Sequence, residues 1–238
     1  MSHQVFCHSW QLSYGEAVEL QRQLRQRLVL DDRNNWPPET VAGADISYDR
    51  HHNMLFAAIL FFSYPDLLLK SVEEGTAPAT FPYIPGLLTF REGPLLVEML
   101  NRSEHLPDLL VCDGQGIAHP RGLGLAAHLG VLFDLPAIGC AKSRLVGEFQ
   151  PPGLEKGAMS SLRGTDGELL GMVVRTRTGV KPVFVSPGHL VSVERAAGIV
   201  LQLTTRYRLP EVTRLAHLHV NRMRRQWLAE KENAAPAG

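Results

Sequence analysis

Apolar residues near the start of the chain recur with the spacing of one helix face. Ser13 is followed three positions later by Glu16, which is the pattern of a capping box at a helix N-terminus. The apolar positions beyond it lie three or four residues apart: Ala17, Leu20, Leu24 and Leu28. This spacing predicts an amphipathic helix over residues 14–30, which ends before the proline pair of "WPPET".

Three strand-like runs follow the helix, at residues 40–48, 54–64 and 67–75. The middle run contains "MLFAAILFF", whose nine residues are far fewer than the roughly 20 that a membrane-spanning helix needs. It is typical of a buried strand. Because short turns separate the three runs, we expect them to pair as an antiparallel meander.

The second half of the chain alternates between strand and helix patterns. A helical segment at 93–102 precedes the strand "PDLLVCDG", the helix "GLGLAAHLGVLFD" and the strand "PAIGCAK", a unit whose two strands should run parallel. Residues 147–167 are rich in glycine, proline and serine and predict a surface loop. A hairpin of "ELLGMVVRTR" and "PVFVSPG" follows. Helices near 192–205 and 211–229 end the chain, with a frayed tail from about residue 230.

This order of elements predicts an α/β fold of the ribonuclease-H-like class. We expect a mixed sheet, in which an antiparallel meander is followed by parallel strands, flanked by helices. Many α/β folds share parts of that order, so the order alone assigns no function. The chain has 238 residues, of which 45% are hydrophobic and 20% charged. This size and composition predict a single domain over residues 1–238 with a substantial core.

The net charge of the chain does not indicate a binding partner, because 24 basic and 24 acidic residues cancel. The segment from Arg206 onward is rich in arginine and would either face phosphate groups or form an ordinary solvated helix face. The three cysteines lack metal-ligand spacing and are typical of a reduced, cytosolic protein. The first residues do not resemble a signal peptide, so we expect a cytoplasmic protein with no membrane partner.

Three acidic residues are candidates for a metal site. Asp45 lies among apolar residues of the first strand, where a carboxylate is costly unless it is paired or bound to a cation. Asp113 follows "LLVC" at the strand end where sites of parallel sheets gather, and Glu92 follows Arg91 beyond a proline-rich loop. Taken singly, Asp113 also fits an Asp-Gly turn and Glu92 a surface ion pair. If the two strands are neighbours, the two aspartates converge and would bind Mg²⁺, joined by Glu92 directly or through water.

Three further side chains could assist chemistry at such a site. Lys142 ends the strand "PAIGCAK" at the same sheet edge as Asp113, where its charge would offset that of a phosphoryl transition state. His119 lies in "GIAHPRG" and His217 in the last helix, where each could contact phosphate or move a proton. Each has an ordinary alternative, as a lysine that begins a surface loop or as a hydrogen-bonded structural histidine.

Five motifs, in order along the chain, resemble those of the endonuclease V family, the deoxyinosine 3′ endonucleases. They extend from about residue 40 to about residue 220 and read "VAGADISY", "FPYIPGLLTFRE", "VCDGQGIAHPRGLGLAAHLG", "IGCAKSRLVG" and "PGHLVSV". The resemblance implies a ribonuclease-H-like fold and Mg²⁺-dependent cleavage, with Mn²⁺ as a substitute, of DNA that contains deaminated bases, chiefly deoxyinosine. The implied cut is at the second phosphodiester bond 3′ to the lesion and leaves a 3′-hydroxyl and a 5′-phosphate.

The resemblance also implies roles for particular residues. Asp45, Glu92 and Asp113 match the catalytic acids of the family, the two aspartates being the expected metal ligands, and Lys142 and His217 match accessory catalytic positions. The implied substrate is double-stranded or single-stranded DNA, bound by a monomer. Inosine-containing RNA stays open as an alternative substrate.

The "PYIP" loop is similar to the strand-separating wedge of the family. Pro82 and Pro85 stiffen the segment that carries Tyr83 and Ile84, so little entropy is lost in holding an aromatic ring ready to enter a gap between stacked bases. By itself, Tyr83 is more typical of a packing anchor in a proline turn.

The glycines that follow Asp113 predict a tight pocket for the deaminated base. Hypoxanthine is guanine without its exocyclic amine, so a snug pocket would reject guanine by size and by leaving that amine unpaired. This sequence has Gln115 where many relatives have histidine, and "SPGH" where others have "TGH". The residues expected to border the pocket or to contact phosphate are Leu88, Gly114, Gly116, Ile117 and His119.

Two functions from other classes compete with a nuclease. The run "GLGLAA", residues 122–127, fits the dinucleotide-binding pattern G-x-G-x-x-A after a strand. That turn is normally tight, whereas "GQGIAHPR" intervenes here. The other alternative is a binding module of the same fold that has lost catalysis, against which the presence of Asp45, Glu92 and Asp113 argues.

Overall fold

A computed structural model of the chain describes residues 3–32 and 36–234. The helices and strands in these ranges follow one another in this order: α1 Tyr14–Arg25, β1 Thr40–Asp49, β2 Met54–Ser63, β3 Leu69–Pro78, α2 Leu88–Arg102, β4 Leu109–Cys112, α3 Leu125–Phe133, β5 Ala137–Ala141, β6 Met159–Arg163, β7 Leu169–Val174, β8 Val183–His189, α4 Val193–Gln202 and α5 Glu211–Ala234. Among the described residues, no helix combines the length and the apolar character needed to cross a membrane.

Helix α1 begins at the predicted capping box. The Ser13 hydroxyl accepts the Glu16 amide at 3.4 Å, and the Glu16 carboxylate accepts the Ser13 amide at 2.7 Å. The helix ends at Arg25, five residues before the predicted end at residue 30. The reason is tertiary, because the Val29 amide donates to His189 Nδ1 at 3.2 Å and its carbonyl accepts the Leu190 amide at 2.6 Å, which takes this residue off the helical path.

In the described part of the chain, eight strands form one mixed sheet in the order β3-β2-β1-β4-β5-β8-β7-β6. The predicted meander is confirmed, since β1–β2 and β2–β3 pair antiparallel. The strand–helix–strand prediction is also confirmed, since β4 pairs parallel with β5 and also with β1. The predicted hairpin of β7 and β8 is antiparallel as expected.

The prediction of a surface loop over residues 147–167 is wrong in one part. Strand β6, Met159–Arg163, lies within it and pairs antiparallel with β7 at the edge of the sheet. This edge strand buries only Leu162 fully, so its sequence lacks the apolar alternation that marks a strand. At the other end of the chain, α5 continues to Ala234, beyond the predicted start of a frayed tail, and residues 235–238 lie outside the described residues.

Helices cover both faces of the sheet. Successive residues of β1 point to opposite faces, so Val41 packs in a core with α4 and α5, while Ala42 packs in a core with α2 and α3. Gly43 lies against the first turn of α5, where an added Cβ would be 2.3 Å from the carbonyl of Val212. The missing side chain therefore lets α5 lie directly on β1, next to the strand position that carries Asp45.

Candidate active site

Asp45 and Asp113 meet at one edge of the sheet because β1 and β4 are parallel neighbours. Ala44 and Cys112 are paired in the register, and the Asp113 amide donates to the Ala44 carbonyl at 3.1 Å. Asp45 is 8% exposed. Burial, and then the charge of Asp113, raise the pKa of Asp45 to about 6, whereas His217 acts in the opposite direction. The two carboxylates are thus held close together at a cost that a cation would relieve.

Helix α5 adds His217 to this pair. Its Nδ1 lies 2.7 Å from Asp45 Oδ2, and its Nε2 lies 3.2 Å from the side-chain amide of Asn221. That amide also donates to the His217 carbonyl at 2.8 Å, while Ser47 donates to the Asn221 oxygen at 3.3 Å. An imidazole that donates from Nδ1 and accepts at Nε2 satisfies all of these contacts. Asn221 and Ser47 therefore fix the orientation of the ring.

Asp45, Asp113 and His217 have the geometry of a metal-binding group. One potential ligand atom from each lies within 4.8 Å of the other two. Two convergent carboxylates and one imidazole suit a divalent cation, and burial with the charge of Asp113 raises the pKa of Asp45, so a bound cation would favour its charged form. The residues present therefore fit a bound metal ion.

Lys142 lies where the sequence predicts it, at the end of β5 beside the acids. Its Nζ is 2.5 Å from Asp113 Oδ2, and its side chain is 40% exposed. The ammonium can therefore reach a phosphate in solvent while it is held by the carboxylate. Nearby, Arg208 donates to the carbonyls of Lys142 and Pro182, each at 2.7 Å.

Glu92 approaches the acids from helix α2. This helix begins at Leu88, not at residue 93 as predicted, so Glu92 lies within it and not on the preceding loop. Burial is the main cause that raises the pKa of Glu92 to about 8, with added repulsion from Asp45 and Asp113 and partial relief from Arg91. The carboxyl is thus close enough to sense both aspartates, although it is outside the group of three ligand atoms.

The structure does not support His119 as a phosphate contact. Its Nε2 donates to the Gly86 carbonyl at 3.0 Å, and its Nδ1 accepts the Arg121 amide at 3.2 Å. Burial, with the positive charge of Arg121, lowers its pKa to about 4, so the ring is neutral at pH 7. Both ring nitrogens are used within the protein. His119 instead binds the loop that precedes α2.

Residues 82–85 project from the surface between two buried anchors. Phe81 and Leu87 are buried, whereas Tyr83 is 70% exposed. The Phe81 carbonyl accepts Arg91 Nη1 at 2.8 Å. Tyr83 is therefore not the packing anchor that the sequence alone favoured. Its ring is held out by a loop that is fixed at its base.

A cavity of about 280 Å³ separates this loop from the acids. It is bordered by the exposed loop, the first turn of α2, the segment after β4 and the segment after β5. Asp113 and Glu92 reach the same cavity, so it opens on the acidic cluster. The lining includes three of the predicted pocket residues and several that were not predicted: Leu88, Gly114, His119, Gln115, Leu125, Ser143, Arg144 and Leu145.

The placement of Gly116 and Ile117 in this pocket is a correction to the sequence prediction. Gly116 donates to Ser186 Oγ at 2.8 Å, and an added Cβ would lie 2.0 Å from the Pro187 carbonyl. The Ile117 amide donates to that same carbonyl at 2.8 Å. Both residues pack against β8 and are absent from the cavity lining. A glycine-rich loop indicates that another group lies close to its backbone. It does not indicate whether that group is a bound base or, as here, a neighbouring strand.

Sequence reasoning missed three polar residues around the site. Asn221 orients His217 and shows no signal in sequence beyond its spacing of four from it. Gln21 is fully buried on the apolar face of α1, and Arg121 bonds to it. A glutamine between Leu20 and Leu24 on an apolar face was the available signal for a buried polar contact.

The dinucleotide alternative does not fit this geometry. Strand β4 ends at Cys112 and α3 begins at Leu125, so residues 113–124 separate them, where a dinucleotide-binding turn would be tight. That segment carries Asp113 into the acidic cluster. The glycines near its end serve packing, since a Cβ on Gly124 would be 2.4 Å from the Gln115 carbonyl.

Comparisons with known proteins identify the family of the chain. The sequence model of Endonuclease V matches residues 22–218. The Endonuclease V of Alkalilimnicola ehrlichii is 49% identical over 210 residues, which cover 88% of this chain and 92% of that protein. The crystal structure of Endonuclease V from Streptomyces avermitilis is 39% identical and superposes with a TM-score of 0.85, covering 95% of this chain and 97% of that one.

A further similar structure contains nucleic acid. Endonuclease V of Ciona intestinalis, in complex with a 24mer DNA containing an inosine followed by a ribo-adenosine, is 28% identical with a TM-score of 0.79 and covers 89% of this chain and 98% of that one. These likenesses confirm the predicted ribonuclease-H-like fold. The chain is a nuclease that belongs to the Endonuclease V family.

Proposed function

We propose that this protein is a metal-dependent repair endonuclease that recognises deaminated bases in DNA, chiefly deoxyinosine. It hydrolyses the second phosphodiester bond 3′ to the lesion and leaves a 3′-hydroxyl and a 5′-phosphate. The observation that carries the proposal is the convergence of Asp45, Asp113 and His217 beside a cavity that an exposed tyrosine loop overhangs. Binding of inosine-containing DNA by the related Ciona protein supports the same substrate.

Asp45 and Asp113 would hold Mg²⁺ or Mn²⁺, and His217 would orient Asp45 through the hydrogen bond from its Nδ1. When bound, the ion would polarise the phosphate and lower the pKa of an attacking water. The convergent carboxylates would fix that ion beside the scissile phosphate. Asn221 and Ser47 keep the imidazole from turning away, as outer partners of metal ligands commonly do.

Glu92 accepts a proton during the reaction, and Lys142 stabilises the negative charge on the phosphate. Glu92 lies close enough to sense both aspartates, so in the charged form that a bound cation would favour, its carboxylate can accept the proton that the attacking water loses. Lys142 balances the negative charge that grows on the phosphate oxygens. The water oxygen bonds to phosphorus, the bond from phosphorus to the 3′ oxygen breaks, and that oxygen takes up a proton to become the 3′-hydroxyl, which leaves the phosphate on the 5′ end.

The exposed loop at residues 82–85 and the neighbouring cavity recognise the deaminated base. Pro82 and Pro85 restrict the loop, and Tyr83 with Ile84 enters the space that an unstacked base leaves. The extruded base would occupy the cavity between Leu88 and Gly114. Unstacking costs least at a weak or mismatched pair, which favours lesions over normal pairs.

The test is cleavage of matched duplexes that carry one inosine or one adenosine at the same position, with Mg²⁺ or with EDTA. End-labelled products should map to the second bond 3′ to inosine and carry a 3′-hydroxyl, and EDTA should abolish them. A matched RNA with one inosine tests the alternative substrate. Equal cleavage of the inosine and adenosine duplexes, or cleavage that persists in EDTA, would refute the proposal.

A further inference from the structure

The carbonyl of Gly86 accepts hydrogen bonds from three side chains, one on helix α1 and two on the segment between β4 and α3. It accepts hydrogen bonds from Gln21 Nε2 at 3.0 Å, His119 Nε2 at 3.0 Å and Arg121 Nη2 at 2.5 Å. Arg121 Nε also donates to Gln21 Oε1 at 2.5 Å, which closes the arrangement. We call Gln21, His119 and Arg121 the Gly86 clamp.

The clamp requires a glycine at its centre. Gly86 has a φ of +78°, a conformation that disfavours side chains, and an added Cβ would lie 2.6 Å from Arg121 Nη2. Gly86 also ends the exposed loop, immediately before Leu87, whose amide donates to Ile84. Fixing this carbonyl therefore fixes the path of the chain on both sides, toward Tyr83 and toward the first turn of α2.

Gln21 occupies a buried position of α1 where an apolar side chain would pack without needing hydrogen-bond partners. It is fully buried on the face of α1 that otherwise carries apolar residues, and its second donor contact is the Leu123 carbonyl at 3.3 Å. An apolar side chain would pack α1 without any need for partners, whereas a buried amide must be fully hydrogen-bonded. Its polar atoms are used on the loop and on Arg121.

We propose that Gln21 and Arg121 are positioning residues for lesion recognition, which hold the 82–86 loop so that Tyr83 stands ready beside the cavity. The opposite end of the loop is tied by Arg91 to the Phe81 carbonyl, so the loop is fixed at both ends. A loop ordered before binding loses less conformational freedom when it enters the duplex. This inference rests on the proposed wedge function of Tyr83.

The experiment compares Gln21→Leu and Arg121→Met with the matched control Gln23→Leu, which changes an exposed glutamine on the same helix. Each is assayed by single-turnover cleavage of inosine in duplex DNA and of inosine in a single strand. The clamp variants should cleave the duplex at least 10-fold more slowly at subsaturating protein, yet cleave the saturated single strand within about twofold of the parent, since no stack must be opened there. Gln23→Leu should match the parent on both substrates.

Combination with Tyr83→Ala separates this inference from the function on which it rests. If the clamp acts through Tyr83, adding Gln21→Leu or Arg121→Met to Tyr83→Ala should change the duplex rate by less than about twofold, because the shared step is already lost. A Tyr83→Ala protein with unchanged duplex cleavage would refute the wedge itself. An active role for Tyr83 combined with clamp variants that behave like Gln23→Leu would refute the clamp alone.

A folding defect is distinguished in the same assay. A variant that is merely misfolded loses both substrates in parallel, and its thermal unfolding midpoint falls. Arg121 is partly exposed, so Arg121→Met is the variant less exposed to that risk. Parallel loss on both substrates by Arg121→Met, with a normal unfolding midpoint, would contradict a positioning role that acts through the loop.

Discussion

His217 Nδ1 lies 2.7 Å from Asp45 Oδ2, although 172 residues separate the two in the chain. Gly43 makes this contact geometrically feasible, because its missing side chain lets α5 lie directly on β1. From there, Asp45 faces inward beside Asp113, and His217 reaches both from the helix. The metal-binding geometry is thus a consequence of one close helix–strand approach and one pair of parallel strands.

Asn221 should control the site through His217. Replacing Asn221 by leucine removes the donor to the imidazole, so we expect the Mg²⁺ concentration for half-maximal cleavage to rise about 10-fold or more. The measurement is a metal titration of single-turnover cleavage. Arg222→Gln, an exposed change one position further on α5, is the control and should leave the titration unchanged. An Asn221→Leu protein with the parental metal dependence would show that the ring needs no such support.

The acids should make the metal-free protein less stable as pH rises. Glu92 has a folded-state pKa of about 8 against an ordinary value of 4.5, so the folded state keeps a proton that the unfolded state releases. The free energy of unfolding therefore falls between pH 4.5 and about 8, and Asp45 contributes in the same direction up to about 6. In EDTA above pH 8, Glu92→Gln should be more stable than the parent by about 2–4 kcal/mol.

Urea unfolding of both proteins across pH 5–9 in EDTA measures this effect. Addition of Mg²⁺ should reverse part of the parental loss, because a bound cation favours the charged carboxylates. Identical pH slopes for Glu92→Gln and the parent would mean that Glu92 is ionised normally in the folded protein.

The histidine pair His8 and His128 should make the protein less stable as the pH falls, whereas the acids make it less stable as the pH rises. His8 Nε2 lies 2.8 Å from His128 Nε2, and His128 is fully buried with its Nδ1 lacking a hydrogen-bond partner among the described residues. Burial lowers the pKa of both rings, so the unfolded state takes up protons first. Stability from this pair is complete above about pH 6.5 and falls as the pH drops below that value.

His128→Leu should therefore flatten the fall of unfolding free energy between pH 6.5 and 4.5. Part of the pH dependence of the unfolding free energy should remain in this variant, because the pKa of His119 is also lowered. The control is His105→Leu, at a side chain that is 85% exposed, which should leave the slope unchanged. A slope that is equally steep in His128→Leu would show that the pair titrates normally.

The sequence predicted the parts of this molecule that local patterns encode. The antiparallel meander and the β4–α3–β5 unit follow from apolar runs and turns, and Asp45 stood out because a charge among apolar residues requires a partner. The roles expected for Tyr83, Lys142 and His217 came from the resemblance to a known family. The position of these residues in the predicted elements did not decide between a functional role and a structural one.

What the sequence did not predict depends on contacts between distant segments. Gly116 was assigned to the base pocket, but it packs against Pro187, and the glycine pattern is the same in either case. His119 was expected to face phosphate, whereas the folded chain turns both of its nitrogens onto backbone groups. Strand β6 was missed because an edge strand buries too little to show alternation.

We propose that Asp45 and Asp113, supported by His217, hold a divalent ion beside the scissile phosphate. The most direct measurement is single-turnover cleavage of an inosine duplex by Asp113→Asn, over a full Mg²⁺ titration, with duplex binding measured in parallel. We expect the cleavage rate to fall on the order of 10²–10³-fold while the duplex is still bound, because the charge that holds the ion is lost. Cleavage by Asp113→Asn at close to the parental rate and metal dependence would contradict the account.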